Sequence, residues 1–266
     1  SAVAIGGDDI DKAIDSDGAA YTELTGDVLV KKNFVPTTAS GAASLALGVQ
    51  NVASGAFSAA VGSNSKATGL AAVALGTNAK ATDKGALAIG AVSNAAASGA
   101  IAVGLNTTAA GVNSTAIGSG NTAGAGATTS GDNATAIGSG ASASADATAI
   151  GTGAKATLAG GVAIGTEAVS AIDKDVAGYD PITGQANTAT NSTWQSTRAA
   201  VSVGDVANGI TRQITGVAAG TADTDVVNVA QLKTINTSAA TIANPTAGAL
   251  RGGPQLDMNT GSITAP

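Results

Sequence analysis

Residues 73–104 read VALGTNAKATDKGALAIGAVSNAAASGAIAVG, and this stretch decides the fold because a short phrase returns in it at a fixed interval. The phrase is alanine, then Leu, Ile or Val, then glycine. It ends at nine glycines, and the successive intervals between them are 14, 14, 14, 14, 14, 20, 13 and 14. The longest interval contains six additional residues around 125–130. The nine glycines are Gly48, Gly62, Gly76, Gly90, Gly104, Gly118, Gly138, Gly151 and Gly165.

A period of fourteen predicts one coil of a parallel β-solenoid. The period is too short for two helices with their turns, and glycine and β-branched residues disfavour helix. It suits two short strands and two turns. Asn64, Asn78 and Asn106 stand two residues after their glycines, where asparagine tolerates a left-handed turn conformation. Nine coils stacked about 4.8 Å apart would extend about 45 Å.

The repeated strand is apolar on both of its faces. Leu45 and Leu47 point to one side of the strand and Ala46 to the other. This pattern is typical of a strand buried on both sides. A coil covers one face with its own second strand, so the other face predicts contact with another chain; the alternative is a monomeric solenoid that exposes a flat alanine face. The alanines predicted to be structural or to contact the other chain are Ala46, Ala60, Ala74, Ala88, Ala102 and Ala116.

Interruptions of the repeat define the predicted organisation of the chain. The chain begins inside a repeat-like phrase, so we expect it to be a piece of a longer protein. The predicted segments are a partial repeat at 1–6, an insertion at 7–40, the repeated coils at 41–165, a second insertion at 166–199, a final repeat with a neck at 200–232, and a short stalk with the start of a following module at 233–266.

Both insertions contain aromatic residues, which form only 2% of the chain. The first insertion has Tyr21 and Phe34, and the second has Tyr179 and Trp194. Loops raised on a rigid scaffold favour binding. Tyr179 and Trp194 are therefore candidate binding residues, and the alternative is that they anchor the insertion by packing.

A short helix is predicted after the neck, because the apolar spacing changes to 3-4-3. This spacing indicates a coiled-coil seam with one polar position. A helix this short is marginal alone, so the seam predicts association with copies of itself. The seam residues are Val229, Leu232, Asn236 and Ala239, with an N-cap expected at Asp223 or Thr224 and a stop before Pro245.

Composition excludes several classes of function. The net charge of −6 and the pI near 4.4 argue against a nucleic-acid partner, since phosphate binding needs clustered Lys and Arg. The chain has no cysteine and no histidine, which removes disulfides, thiolate zinc sites and the commonest general base. We predict no enzyme activity, no catalytic residue, no metal and no cofactor.

Two other classes of β-solenoid are alternatives to a binding protein. A polysaccharide-acting enzyme needs carboxylates clustered with Lys or Arg, yet Asp83 and Lys84 are neighbours without a recurring cluster in adjacent coils. An ice-binding solenoid needs a regular threonine array. Thr115, Thr135 and Thr148 are aligned before their glycines, but the equivalent residues in other coils are mostly aliphatic.

The neck phrase carries a resemblance to a known family. Residues 212–232 read RQITGVAAGTADTDVVNVAQL and, with the repeats, resemble the head and neck of YadA-like trimeric autotransporter adhesins of Gram-negative bacteria. The resemblance implies a left-handed parallel β-roll in a homotrimer, with Arg212 in a structural neck and a coiled-coil stalk. It also implies a cell-surface location, with the membrane reached only through an outer-membrane anchor outside this chain.

The resemblance further implies adhesion to host extracellular-matrix or cell-surface molecules or to other bacteria, and the alternative is a structural spacer of the fibre. Heads of the family contain an Asn-Ser-Val-Ala-Ile-Gly motif linked to matrix binding. The closest phrases here begin at Asn113-Ser114 and at Asn133, and both replace the valine with threonine. Asn113, Ser114 and Asn133 are therefore candidate binding residues by resemblance.

Overall fold

The computed structural model describes residues 1–7, 10–31, 35–238, 255–256 and 262–264. These residues form two compact units, Ser1–Arg212 and Gln213–Pro266. Phe34, Ala239 and Pro245, which the sequence singles out, lie outside the described residues.

The first unit is a parallel β-solenoid in which successive strands alternate between two sheets. Sheet A contains β1, β3, β5, β7, β9, β11, β13, β15, β17, β19 and β23, and sheet B contains the even-numbered strands β2 to β20. In chain order the strands are β1 (Val3–Ile5), β2 (Thr38–Ala39), β3 (Leu45–Val49), β4 (Val52–Ala53), β5 (Ala59–Ser63), β6 (Lys66–Ala67), β7 (Val73–Leu75), β8 (Lys80–Ala81), β9 (Leu87–Ile89), β10 (Asn94–Ala95), β11 (Ile101–Val103), β12 (Thr108–Ala109), β13 (Thr115–Ile117), β14 (Thr128–Thr129), β15 (Thr135–Ile137), β16 (Ser142–Ala143), β17 (Thr148–Ile150), β18 (Lys155–Ala156), β19 (Val162–Ile164), β20 (Val169–Ser170), β21 (Tyr179–Asp180), β22 (Gln185–Ala186) and β23 (Val201–Ser202).

The interior of a typical coil is filled by four small side chains, although one coil also buries the larger Asn51. In another coil the four are Ala74, Ala79, Ala81 and Ala86, of which none exceeds 1% exposure. The register is strict, so that Ala74 pairs with Ala88 and identical positions stack from coil to coil. The hydrophobic core of the described residues consists of alanines alone. A core of methyl groups lets the two sheets approach closely, which explains how so short a repeat can close a coil.

Glycine ends each sheet A phrase because no side chain fits there. The nine repeat glycines have φ between 113° and 152°, a conformation that residues with a side chain rarely adopt. A Cβ added to Gly104 would lie 2.8 Å from the carbonyl oxygen of Gly118 in the next coil. The predicted left-handed turns are confirmed, since φ is 55° at Asn64, 55° at Asn78 and 57° at Asn106.

Two insertions leave the solenoid at different edges. The first lies between β1 and β2 and contains a helix that the sequence analysis did not predict, α1 (Asp11–Thr25), which ends at the left-handed Gly26. The second lies between β20 and β23 and contains the antiparallel hairpin of β21 and β22. Residues near the ends of the predicted insertions, at 38–39 and 169–170, form strands of sheet B. A short 3-10 helix, Val206–Asn208, follows β23.

In the second unit, a helix begins at residue 229 and extends to 238 within the described residues. The predicted N-cap at Asp223 or Thr224 is wrong, because Asn228 caps this helix. The amide of Gln231 donates to Asn228 Oδ1 at 3.1 Å, and the amide of Asn228 donates to Gln231 Oε1 at 3.1 Å, which is a reciprocal capping box. The unit also contains the antiparallel strands β24 (Gln255–Leu256) and β25 (Ile263–Thr264).

Residues 221–225 form a separate turn instead of starting the helix. The Asp225 carboxylate accepts hydrogen bonds from the amides of Thr221 and Ala222, at 2.8 and 2.9 Å. These bonds lower the pKa of Asp225. Because the turn uses its acidic residue internally, the helix starts only after the next polar residue with a suitable side chain, Asn228.

Candidate functional site

The outer face of sheet A is a continuous apolar surface, which we call the apolar ladder. Its side chains flank the buried alanine of each strand, and many of them are exposed despite being large and aliphatic. Parallel in-register pairing aligns them in two columns, as in Val73 with Leu87 and Leu75 with Ile89. The ladder consists of Val3, Ile5, Leu45, Leu47, Ala59, Val61, Val73, Leu75, Leu87, Ile89, Ile101, Val103, Thr115, Ile117, Thr135, Ile137, Thr148, Ile150, Val162 and Ile164.

The outer face of sheet B is polar by contrast. Its outward positions include the exposed side chains of Lys66, Lys80, Ser142 and Lys155. Two faces built on the same repeat therefore have opposite character. An extended apolar face on one side of a solenoid indicates a site of association with another molecule. Aliphatic residues that were exposed singly would instead be scattered over both sheets.

The second insertion carries an exposed hairpin. Tyr179 is 68% exposed and Ile182, in the turn of the hairpin, is 93% exposed. Trp194 supports the hairpin from behind, because the amide of Gly178 donates to the Trp194 carbonyl at 2.6 Å and the indole lies close to Gly178. The two aromatic residues therefore differ in role. Trp194 packs against Gly178 within the second insertion, whereas the Tyr179 side chain is exposed to solvent.

The first insertion is tied to the solenoid by polar contacts that the sequence did not indicate. Asn78 Nδ2 donates to the Tyr21 hydroxyl at 3.1 Å and also to Asp27 Oδ2, while Asn64 Nδ2 donates to Asn78 Oδ1. Burial raises the pKa of Tyr21, with the neighbouring Asp27 charge adding to the effect. The left-handed turn asparagines thus serve a second purpose, as the attachment point of α1.

The end of α1 meets the extended turn of the solenoid at 119–126. The six additional residues lie in this turn and not around 125–130 as predicted, because Thr128–Thr129 form β14 in register with Thr108–Ala109. A Cβ at Gly26 would lie 2.5 Å from Cβ of Ala123, so the two backbones are in direct contact. Ala20, Glu23 and Leu24 line a shallow cleft with Asn121 and Thr122. The first insertion and the extended turn at 119–126 therefore pack against each other at this edge of the solenoid.

Arg212 closes the last complete coil. At earlier coils the carbonyl of the next repeat glycine lies over each glycine, but over Gly165 lies the Arg212 guanidinium, whose Cζ would be 3.2 Å from an added Cβ. Nη2 donates to the Thr166 carbonyl at 2.6 Å, and Nη1 donates to the Val203 carbonyl. The guanidinium thereby satisfies two carbonyls at the end of the solenoid.

In the second unit, the predicted seam is exposed in the single chain. Val229 and Leu232 both expose more than half of their surface, and Asn236 is exposed as well. The neck residues Ile214 and Val226 are also exposed. These apolar side chains have no cover in this chain among the residues that the structure describes.

Comparisons with known proteins match both units. The profile of the YadA head domain repeat matches residues 39–65, 67–93, 95–121, 123–141 and 142–168, and the profile of the coiled stalk of trimeric autotransporter adhesin matches 213–254. Together these two profiles cover more than half of the chain.

The chain belongs to the trimeric autotransporter adhesins.

Two curated relatives of this adhesin chain are much longer proteins. The autotransporter adhesin BadA of Bartonella henselae is 41% identical over 108 residues, which are 38% of this chain and 4% of that protein. The trimeric autotransporter adhesin AtaA of Acinetobacter sp. (strain Tol 5) is 46% identical over 71 residues, 27% of this chain and 2% of that protein. A solved structure of the collagen-binding domain of the Yersinia adhesin YadA is 31% identical, has a TM-score of 0.35, and is matched over 64% of this chain and 85% of that one.

The repeat alanines of this adhesin chain are interior residues. All six of the predicted alanines, from Ala46 to Ala116, have 0% exposure. They are structural, and the part of the prediction that gave them a contact with another chain is wrong. The reason is that the second strand of the same coil covers the alanine face, so the Leu, Ile and Val side chains are left outside.

The asparagine-containing coils place their candidate residues differently. Asn113 and Asn133 are exposed and both have φ of 53°, so each occupies a left-handed turn position. Ser114 has 0% exposure, donates to the Gly111 carbonyl at 2.8 Å and accepts from the Thr129 hydroxyl at 2.8 Å. Binding through the Ser114 side chain is therefore contradicted, because the residue after each left-handed turn points into the coil.

Carboxylates in the coils of this adhesin chain serve turns. Asp83 accepts from the Lys84 amide at 2.6 Å, and Asp132 accepts from the Val112 amide at 2.8 Å. Over the described ranges, no three His, Cys, Asp or Glu residues are grouped so that they could hold a metal ion. In the same ranges, no helix has the length and hydropathy that a membrane crossing requires.

Proposed function

We propose that three copies of this chain associate through their apolar ladders and form the head and neck of a bacterial surface fibre. The apolar ladder is the observation that carries this proposal. A closed cyclic assembly is the simplest way for identical chains to cover the same face of each copy. The polar outer face of sheet B then remains in water, as its lysines and serine require.

The neck and stalk support the same assembly. Val229 and Leu232 lie on one side of a helix that the capping box starts at a defined residue. A helix of this length gains stability from packing against copies of itself more than from its own hydrogen bonds. Three such helices would bury the seam and the exposed neck residues Ile214 and Val226.

We further propose that the head attaches the bacterium to host matrix, to host cell surfaces or to other bacteria, without catalysis. The exposed hairpin of the second insertion supports this role, since Tyr179 and Ile182 extend from a rigid scaffold into solvent. The proposed location is the outer surface of the outer membrane, with an anchor supplied by another part of the protein. The alternative function is a structural spacer whose fibre binds its ligand elsewhere.

Matrix binding through the asparagine coils is a weaker candidate than binding through the hairpin. Asn113 and Asn133 are exposed, but their backbone conformation alone explains the choice of asparagine. Collagen therefore belongs in the tested panel because of the sequence resemblance. The hairpin residues are the ones to mutate first.

The test uses beads coated with the trimer and a panel of collagen, fibronectin, laminin, host cells and the bacteria themselves. Ile182→Ser together with Tyr179→Ala should reduce binding to one surface at least tenfold. Val206→Ser is the matched control, because Val206 is 85% exposed and lies outside both insertions. Binding lost equally in both variants would overturn the hairpin assignment, and no binding to any surface would favour the spacer.

A further inference from the structure

Phe57 is an exposed aromatic residue in a backbone conformation that aromatic residues rarely adopt. Its φ is 59° and it is 67% exposed. It occupies the left-handed position in the turn from sheet B to sheet A. The same position is filled by small or turn-forming residues in the other coils, namely Ala43, Ala71, Gly85, Gly99, Asn113, Asn133, Asp146 and Gly160.

The conformation at Phe57 is costly, and about two thirds of the residue remains exposed in the single chain. A bulky residue with positive φ is a genuine outlier, and strain of this kind tends to lie at functional positions. Glycine or asparagine would fit the turn better and would not expose a ring to water. A contact outside the chain is the physical reason for which such a residue would be kept.

Phe57 lies at the border of the apolar ladder. Exposure alternates along the chain here, with Phe57 outside, Ser58 buried and Ala59 on the outer face of sheet A. Leu70, in the next coil at the same edge, is also exposed, and the amide of Ala71 donates to the carbonyl of Ala56 beside it. The apolar surface therefore continues from the ladder around this edge.

The ladder has a gap at the level of Phe57. The first column of the ladder contains Leu45 before Ala59 and Val73 after it, all in register. Ala59 is its smallest member among the described strands. A rotation axis parallel to the solenoid axis keeps each coil at the same height in every copy of a closed trimer, whereas a shift by one repeat would give an open assembly that does not close. The Phe57 side chain of one copy and the gap over Ala59 of the next copy would therefore lie at the same height along the solenoid axis.

We propose that Phe57 of one chain packs into the gap over Ala59 of a second copy and fixes the axial register of the trimer. This inference rests on the trimer proposed above. It goes beyond it by naming the contact that distinguishes the correct alignment of coils from one shifted by a whole repeat. Most neighbouring positions of the ladder carry side chains of similar size, so they discriminate less between these alignments.

The first test compares Phe57→Asn with Ala71→Asn. Asparagine suits this turn position, as Asn113 and Asn133 show, so neither variant should disturb the coil. Each lost ring contact should weaken the trimer about tenfold, so we expect Phe57→Asn to raise the trimer dissociation constant about 1000-fold. Ala71→Asn should stay within about threefold. Sedimentation over a dilution series measures both constants.

The outcomes separate the two proposals. Equal dissociation constants for the two variants would overturn the role of Phe57 while leaving the trimer intact. Loss of adhesion by Phe57→Asn without any change in the trimer would also overturn it, and would assign the ring to a ligand instead. A wild-type chain that stays monomeric at every concentration would overturn the trimer and, with it, this inference.

The second test uses the absence of native cysteine. Chains with Phe57→Cys and chains with Ala59→Cys are co-expressed, so that a disulfide joining the two types must cross between copies. We expect a linked pair on a non-reducing gel that neither variant gives alone. Gly99→Cys with Ala59→Cys is the control, because three coils separate the positions by about 14 Å, beyond disulfide reach. Linkage in the control, or none in the test pair, would contradict the register.

Discussion

Adding one methyl group at Gly104 tests the packing of successive coils, because Gly85 offers a matched position where the same change meets open space. A Cβ at Gly104 would lie 2.8 Å from the Gly118 carbonyl oxygen, whereas a Cβ at Gly85 has nothing within 4 Å. Both glycines have positive φ, 129° and 63°. Gly85→Ala is therefore the control for Gly104→Ala.

The magnitudes follow from these distances. At Gly85 the left-handed conformation costs alanine about 1–2 kcal/mol, less about 0.4–1 kcal/mol from the stiffer unfolded chain. At Gly104 the backbone conformation costs about 1–3 kcal/mol, and separating the coils costs about another 1–3 kcal/mol; the unfolded-chain contribution is the same as at Gly85 and cancels in the comparison. We expect a difference of about 2–4 kcal/mol in the free energy of unfolding between the two variants.

Urea unfolding followed by circular dichroism measures this difference. With an m value of about 2 kcal/mol/M, the midpoint for Gly104→Ala should lie about 1–2 M below that for Gly85→Ala. Both variants are compared at one protein concentration, so that association affects them equally. Equal midpoints would refute the conclusion that the glycine column sets the distance between coils.

Three further predictions concern the edges of the two units. Arg212→Ala should lower the stability of the last coil by about 1–2 kcal/mol, since charged hydrogen bonds to two carbonyls are lost; hydrogen exchange in that coil measures the change. Burial raises the pKa of Tyr21 above its ordinary value, so the stability that α1 gains by docking is complete below about pH 10 and is lost as the pH rises through the raised pKa. Absorbance at 295 nm should show Tyr21 ionising above its ordinary pKa, and Tyr21→Phe should remove that ionisation. Gln231→Ala should cost the stalk helix about 1 kcal/mol by removing half of its capping box with Asn228, and unchanged helix content by circular dichroism would contradict this.

The repeat could be predicted from the sequence because its constraints are local. A glycine at the end of every phrase and asparagines two residues later specify the turns, and the structure has these residues at positive φ. The sequence could not predict which face of the sheet A strand the second strand of the coil covers. Ala46 alternates with Leu45 and Leu47 whether the alanine or the leucines point into the coil. The answer depends on the distance between the two sheets, which small interior side chains keep short.

The candidate binding residues were harder to predict than the fold. Ser114 and Asn113 are adjacent in one motif, yet one is buried and the other exposed, because the turn reverses the direction of successive side chains. Phe57 was missed because its significance lies in its backbone conformation. The N-cap at Asn228 had a readable signal, the glutamine three residues later, but Asp223 competed for the same role.

Helix α1 also escaped prediction, for a physical reason. Its sequence combines Asp, Ala, Ser and Gly without a strong apolar stripe, so periodicity gives little signal. The helix is held by contacts to Asn78 and to the extended turn at 119–126, which are distant in sequence. Tertiary contacts of this kind are invisible to local patterns.

The central claim is that the apolar ladder joins three copies of the chain. Light scattering coupled to gel filtration tests it most directly, by measuring the absolute mass of wild-type protein and of Ile137→Asp, which places a charge in the ladder. We predict three times 24.8 kDa for the wild type and a shift to 24.8 kDa for the variant. A wild type that remains at 24.8 kDa at high concentration, or a variant that stays trimeric, would contradict the claim.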